Sequence, residues 1–405
     1  MTSNRAALPF VAFLALASAA CSSKGSAAPQ ADAGVDSGIV TPPWLEGAKV
    51  LVNGHDVAND DCRTGICAHN ENTDLITWKG AIYLVHRTAL SQILGPNCAL
   101  HVYRSTDQGK SFVETARIAP PLTKLSPDDK ATAGRDLRDP HFYVVGDKLF
   151  IKALTRLPVL SPRDSNVDTL AVAMTTTDGE HWTPMQPIAP IGNSLWRVQP
   201  HAGVLYSAAY QDGDRSVTMF SSTDGLAWTK GAVVYDVAAD TPLETELVFM
   251  PSGRLLALVR MDGNDDELPG AKGRLRTKVC WSLPPYDKFD CPSELSGQRL
   301  DGPVAFFVKD RLFVVARRHL QPTQKKRTAL FEITGALDGG DIALKNWGDL
   351  PSAGDTSYAG ATPLDDHRVL LTWYSGDVVD DVDWFQGMLG LSDIWQGTID
   401  FSALR

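Results

Sequence analysis

The sequence predicts an all-β protein: a six-bladed β-propeller whose blades are four-stranded antiparallel sheets closed into a ring. Three observations predict it. Apolar residues come in strand-length runs with no long segment of helical period, Gly and Pro number 33 and 25 among 405 residues, and one hairpin pattern recurs along the chain. With 43% hydrophobic and 21% charged residues, the chain has the material for a large core. Against 38 Lys+Arg stand 48 Asp+Glu, a formal charge of −10, and the longest basic run is Lys325-Lys326-Arg327. A phosphate backbone is a poor partner for such a surface, so no nucleic-acid role is expected.

Taken in order, the chain opens with Arg5 and an apolar stretch from Ala6 to Ala20. That is too short for a spanning helix and reads as a signal peptide over 1–20. Leu16-Ala17-Ser18-Ala19-Ala20-Cys21 resembles the cleavage box of bacterial lipoproteins, which implies lipidation at Cys21 and export to the cell envelope. Residues 21–43 then form a tether rich in Ala, Gly, Ser, Asp and Pro. The only membrane contact expected is through that anchor, and the propeller is assigned to 44–405 as a monomer. Export permits disulfides; Cys280 and Cys291 are spaced to close a short loop, and two of Cys62, Cys67 and Cys98 are left to pair. No Cys/His spacing suits zinc, and no metal or cofactor is expected.

The hairpin pattern is a short apolar strand, a tight turn with Gly or Asp, and a second apolar strand. Its turns fall at Gly80, Gly146, Gly203, Gly253, Asp310 and Asp366, which are 66, 57, 50, 57 and 56 residues apart. Strand repeats of that length mean four strands per unit around one axis. The blades are expected near 72–115, 139–185, 196–235, 244–290, 302–335 and 356–400. A strand from about Lys49 to Asn53 is expected to complete the last one, pairing the two ends of the chain.

A second repeat follows three of the hairpins: Ser105-Thr106-Asp107-Gln108-Gly109-Lys110-Ser111-Phe112, Thr176-Thr177-Asp178-Gly179-Glu180-His181-Trp182 and Ser222-Thr223-Asp224-Gly225-Leu226-Ala227-Trp228. These segments resemble the Asp-box repeats of sialidases and related propellers. Their Asp residues are expected to accept turn amides, with Gly at positive φ and the ring packed under the turn, a structural role.

In a propeller the innermost strands line the axis, so residues six to ten positions before each turn gather at one mouth. These are Asp74, Asp139, Arg197, Glu244 with Glu246, Gly302, and Thr356 with Tyr358. Carboxylates, an Arg and a Tyr converging there suit a polyhydroxylated substrate. The resemblance to sialidases extends to this rim. Glu244, Gly253 and Arg260 reproduce the family's spacing of a Glu, a glycine turn and an Arg sixteen residues past the Glu. Lys326-Arg327-Thr328-Ala329-Leu330 resembles the strand with a further substrate Arg, and Asp355-Thr356-Ser357-Tyr358 the segment with the nucleophilic Tyr. The resemblance implies that Tyr358 attacks while Glu244 takes its proton, a phenol being a poor nucleophile without a base. It implies glycan contacts from Arg260 and Arg327, joined by Arg197, Arg87 and Glu246.

Two positions depart from the family. Glu71-Asn72-Thr73-Asp74 stands where a first-blade Arg belongs, and Gln92 stands where an acid/base Asp precedes Gly95-Pro96-Asn97. An amide cannot protonate a leaving group. Asp74 or Asp139 is expected to replace that acid. The chain further resembles a group of bacterial sialidase-like propellers in its Thr73-Asp74-Leu75, Asp136-Leu137-Arg138-Asp139-Pro140 and Gly354-Asp355-Thr356-Ser357-Tyr358 segments. The expected function is an exported glycoside hydrolase acting on an anionic or polyhydroxylated glycan. One alternative is a non-catalytic glycan-binding surface propeller. Another follows from Arg138-Asp139-Pro140, which is similar to a segment of fructan- and arabinan-cleaving propellers and implies chemistry by Asp74, Asp139 and Glu244 or Glu246. The acidic stretches 262–267 and 377–383 read as solvated loops, and His86, His141, His201 and His319 as packing residues. Trp196 and Trp384 are candidates for stacking on a sugar, with core packing the default.

Overall fold

A computed structural model describes residues 40–404, apart from 56, 94, 131–133, 159–167, 212–214, 238, 263–274 and 336–341. The signal peptide, Cys21, the tether up to residue 39 and most of the acidic stretch 262–267 lie outside the described residues. The all-β reading holds, and the described elements include one short α-helix and a single 3-10 turn at Phe401–Ala403. Strand β1 (Leu45–Val52) comes first, then β2 (His69–Trp78), β3 (Ala81–Ala89), β4 (Cys98–Ser105) and β5 (Val113–Ile118). The next units are β6 (Asp136–Val145), β7 (Lys148–Arg156), β8 (Leu170–Thr176) and β9 (Gln186–Pro187), and β10 (Ser194–His201), β11 (Val204–Gln211), β12 (Ser216–Ser222) and β13 (Thr229–Asp236). They are followed by β14 (Thr241–Phe249), β15 (Leu255–Asp262), β16 (Arg276–Ser282) and β17 (Asp290–Ser296), and by β18 (Asp301–Val308), β19 (Arg311–His319), β20 (Lys326–Thr334) and β21 (Ala343–Asp349). Last come β22 (Thr356–Pro363), β23 (Arg368–Gly376), helix α1 (Trp384–Leu389) and β24 (Ser392–Asp400).

The expected count of six separate four-stranded blades is corrected by the strand pairing. Four blades stand as four-stranded sheets, β6 to β9, β10 to β13, β14 to β17 and β18 to β21. The remaining strands form a single eight-stranded sheet in the order β22-β23-β24-β2-β3-β4-β5, with β1 on β24. Counting hairpins treats each repeat as a sheet closed on itself. Here β2 runs parallel to β24 and pairs with it at His69 and Ser392, which fuses the first and last units. The Asn70 amide donates to Ser392 Oγ at 2.9 Å and the Ser392 amide to Ala68 O at 3.0 Å. The N-terminal strand spans Leu45–Val52, close to the expected 49–53, and pairs antiparallel with β24. Joining both chain ends in one sheet removes two exposed edges, which is the physical gain of this closure.

The second strands β3, β7 and β15 are buried almost end to end, because neighbouring sheets cover both faces. One core cluster joins Val315 and Leu330 to Leu371, Trp373 and Ile399. Another joins Val85 and Leu100 to Ile151 and Val172. Both of these hydrophobic layers are therefore shared by two sheets rather than owned by one.

The acidic turns have the geometry their residues demand. Asp178 Oδ1 accepts the Glu180 and His181 amides, both at 2.8 Å, and Asp224 Oδ1 accepts those of Leu226 and Ala227 at 2.9 and 2.8 Å. Gly179 has φ +82°, and a Cβ there would lie 2.4 Å from Tyr83 Oη. Two disulfides form, Cys62–Cys67 and Cys280–Cys291, while Cys98 is a buried free thiol. Among the described residues no group of three His, Cys, Asp or Glu is placed to hold a metal ion, and no helix is long and apolar enough to cross a membrane.

His86 and His101 stack in the β3–β4 pair with ring centroids 5.5 Å apart, and both are fully buried. Burial, with help from the neighbouring ring for His86, pulls each imidazole down to about 3. The folded protein keeps them neutral, whereas the unfolded chain takes up protons below its ordinary value near 6.5. Stability therefore falls as pH drops from about 6.5 towards 3, by up to about 1.4 kcal/mol per pH unit for each His. Urea unfolding at pH 7 and pH 4.5 is expected to show this loss, and a His86→Gln/His101→Gln protein to show a flatter dependence. Equal slopes for the two proteins would refute it.

Candidate functional site

The first strand of every hairpin loses register with its partner partway along its length, ahead of the turn. The breaks lie between Glu71 and Asp74, Arg138 and His141, Leu195 and Val198, Pro242 and Thr245, Asp301 and Val304, and Ser357 and Gly360. Such bulges re-aim side chains and are frequent beside functional sites. The residues displaced include Asn72, Asp139, Arg197, Glu244, Gly302 and Tyr358. Asn72, Asp139 and Tyr358 carry φ of 53°, 50° and 44°, a region that non-glycine residues occupy at a cost.

Tyr358 and Glu244 meet from opposite parts of the chain. Tyr358 Oη donates to Glu244 Oε1 at 2.6 Å, and Arg260 Nη1 donates to Tyr358 Oη at 3.1 Å and to Glu244 Oε2 at 2.7 Å. The Gly302 amide also donates to Glu244 Oε2, at 2.9 Å. Gly302 has φ +53°, and a Cβ there would sit 2.7 Å from the Tyr358 ring, so only glycine admits the tyrosine at this point. Burial and the Glu244 carboxylate hold the Tyr358 phenol well above its usual range. It is thus a protonated phenol hydrogen-bonded to a carboxylate, an arrangement in which transfer of the proton to the acid would make the oxygen a nucleophile.

Arg317 completes this side. Its guanidinium lies 5.0 Å from the Tyr358 ring centroid, and it donates through Nε to Thr356 O at 2.8 Å and through Nη2 to Asp355 Oδ1 at 2.6 Å. Helix α1 braces the pair, since Trp384 Nε1 donates to the same Asp355 oxygen at 3.1 Å. Sequence reasoning did not select Arg317, yet a signal was present. An acid and an Arg sixteen residues apart recur as Glu71 and Arg87, Glu244 and Arg260, and Asp301 and Arg317. The first and third of these pairs are direct register partners across their hairpins. Arg327, expected at the site, instead donates to Asp381 Oδ1 at 2.7 Å and to Lys326 O.

Across the mouth, Asn72 Nδ2 donates to Asp139 Oδ1. Burial raises the Asp139 carboxyl, and the negative charge of Glu244 raises it further against the pull of Arg138 and Arg156. A raised carboxyl of this kind can hold a proton at neutral pH. Lys152, fully buried, supports the bulge by donating to Asp139 O at 3.3 Å and Leu195 O at 2.6 Å. Arg138 is tied to Asp136 Oδ2 at 2.6 Å and to Gln92 O at 3.0 Å, so the backbone of Gln92 steadies the loop while its amide offers no proton.

The remaining expected residues lie elsewhere. Arg87 is fully buried between Glu71 Oε1 at 2.5 Å and Asp136 Oδ1 at 2.6 Å, which makes it a structural cation. Asp74, Arg197 and Glu246 form a layer farther along the axis. Arg197 Nη1 donates to Asp74 Oδ1 at 2.6 Å, the Phe142 amide to Asp74 Oδ2 at 2.7 Å, and Gln199 Nε2 to Glu246 Oε1 at 3.2 Å. Burial pushes the Glu246 carboxyl up to about 7. This layer faces a small cavity of about 180 Å³ lined by Asp74, His141, Arg197, Gln199 and Phe306. Trp196 is fully buried against His141 and Tyr358, so it packs and does not stack on a ligand.

No family model matches the sequence, and no curated protein matches it. Solved structures do. A protein of unknown function from Dyadobacter fermentans aligns with TM-score 0.63 at 16% identity, covering 88% of this chain and 99% of that one. The Trypanosoma rangeli sialidase in complex with sialic acid aligns with TM-score 0.60 at 13% identity over 88% of this chain and 59% of its own. The NanB sialidase from Streptococcus pneumoniae aligns with TM-score 0.56 at 12% identity over 86% and 70%. The chain thus spans well under two thirds of the length of the trypanosomal enzyme. At these identities the likeness defines the fold, a sialidase-like β-propeller.

Proposed function

We propose that the protein is an exported glycoside hydrolase of sialidase-like mechanism, with Tyr358 as nucleophile, Glu244 as its base and Asp139 as acid/base. The observation that carries this reading is the 2.6 Å hydrogen bond from Tyr358 to Glu244, with Arg260 donating to both. In the first step Tyr358 Oη bonds to the anomeric carbon, its proton passes to Glu244 Oε1, and Asp139 protonates the departing oxygen. In the second, the Asp139 carboxylate takes a proton from water, the water oxygen replaces the tyrosyl oxygen, and Glu244 returns its proton to the phenolate. Two displacements retain the anomeric configuration. Asp139 is preferred to Asp74 as the acid because both Asp74 oxygens are engaged, by Arg197 and by the Phe142 amide. Export and anchoring through Cys21 remain part of the proposal on the strength of the N-terminal segment.

The experiment compares Asp139→Asn with the parent on paired glycosides of one sugar, one with a poor alkyl leaving group and one with an activated aryl group. Loss of a general acid slows the poor leaving group by about 10²–10⁴-fold and the activated one far less. An equal loss on both, or none, would remove Asp139 from this role.

A further inference from the structure

We infer that the glycosyl unit accepted at the Tyr358 site is an uncharged, polyhydroxylated sugar, and that a carboxylate on the ring being transferred is selected against. The inference rests on the hydrolase reading for the position of the reacting ring, and on the ion pairs around it for its charge.

A bound carboxylate needs guanidinium donors that are open and a surroundings of net positive charge. The two arginines that reach Tyr358 already give most of their donors to groups of the protein, and acids crowd around them. Arg260 directs Nε at Asp262 Oδ1, 2.8 Å away, and Nη1 at Glu244 and Tyr358, while Asp301 Oδ1 lies 3.3 Å from its Nε. Arg317 has Nε on Thr356 O and Nη2 on Asp355, and its Nη1 lies 3.7 Å from Asp301 Oδ2. Asp301 also binds Arg299, whose Nε is 2.7 Å from Asp301 Oδ1. The guanidiniums of Arg260, Arg299 and Arg317 therefore face the four carboxylates Glu244, Asp262, Asp301 and Asp355 among the described residues, and the buried Lys326 is turned to His319 Nδ1, 2.6 Å away. Across the mouth Asp139 adds another acid, and its amide neighbour Asn72 brings no charge. Of the cations on that side, Arg87 and Arg138 are bound to Glu71 and Asp136, Lys152 donates to Asp139 O and Leu195 O, and Arg156 Nη2 donates to Tyr210 Oη.

An incoming carboxylate would displace a protein carboxylate or lie beside several, and like charges in contact are a strong selection against a ligand. Sugar hydroxyls meet no such barrier. Each donates to a carboxylate oxygen and accepts from a remaining N–H, which is the pattern of alternating acids and guanidiniums on this rim. Asp262 has the most exposed side chain of these acids, at 23%, and is the one whose removal frees a donor on Arg260 with the least disturbance of buried structure.

The test uses 4-methylumbelliferyl glycosides of neutral hexoses and of a sugar bearing a carboxylate on its anomeric carbon, with calorimetric titration of the corresponding free neutral and carboxylated sugars. The expected result is that a neutral sugar is preferred at least tenfold, about 1.4 kcal/mol, in turnover or in binding. Asp262→Asn is expected to raise the carboxylated-to-neutral ratio about tenfold. Equal or better use of the carboxylated sugar by the parent protein overturns the inference; if that turnover is lost in Tyr358→Phe, the hydrolase reading stands without it. Preferential binding of neutral sugars without any turnover supports the inference and defeats the hydrolase reading. Binding of neither class overturns both.

Discussion

Tyr358→Phe is expected to lower turnover by about 10³-fold or more while leaving the fold intact, since only a hydroxyl is removed and the ring still packs against Gly302. Glu244→Gln is expected to be comparably damaging, because the amide cannot take the phenolic proton and it disturbs an oxygen shared by Arg260 and the Gly302 amide. The two residues act as one unit, so the double variant should be little worse than either single one. Steady-state kinetics on a turned-over glycoside, with circular dichroism to verify folding, measure all three. If Tyr358→Phe keeps parental turnover, the nucleophile has been misassigned. Burial and the Glu244 charge keep the phenol protonated, so Tyr358 should contribute no phenolate absorbance at neutral pH.

The largest stability effect is expected from Arg87→Met. Arg87 is fully enclosed and donates to Glu71 Oε1, Asp136 Oδ1 and Leu137 O, the last at 3.0 Å. Burial alone would raise the Glu71 carboxyl, and the Arg87 guanidinium overrides it and holds Glu71 well below its usual range. Removing the cation leaves two carboxylates buried with Arg138 as their remaining guanidinium partner, a loss of about 3–5 kcal/mol for a broken buried pair. Denaturant unfolding at pH 7 measures it. Glu71 and Asp136 lie on β2 and β6, so the same change should also loosen the contact between the eight-stranded sheet and the first separate blade. A change under about 1 kcal/mol would mean that water reaches the pair and that it behaves as a surface salt bridge.

Much of the site was legible because a propeller turns linear spacing into angular position. Counting back from each hairpin turn led to Asp139, Glu244, Gly302 and Tyr358, and the register breaks fall at those heights. Arg260 was legible from its distance to Glu244. Arg317 follows the same sixteen-residue rule from Asp301 but was passed over for Arg327, which pairs in register with the neighbouring Arg318 across β19 and β20. Spacing cannot show which way a guanidinium turns, and Arg327 turns to Asp381. Arg87 was placed among the substrate contacts because its strand leads to the mouth, and burial between two acids decides otherwise. Asp74 and Glu246 sit on inner strands as expected, yet at a height where Arg197 and Gln199 engage them.

The sequence by itself determined the elements: strand-length apolar runs, hairpin turns with residues able to take tight backbone angles, and acidic turns whose carboxylates accept their own amides. These depend on neighbours a few residues away, and local chemistry suffices for them. Only the tertiary structure decided that the first and last units share one sheet, because a single parallel pairing between His69 and Ser392 spans 323 residues of sequence. It likewise decided which of the rim's charges are open to a ligand. That depends on the partner each side chain meets across the axis, and a carboxylate or guanidinium has the same letter in the sequence whether its charge is answered or free.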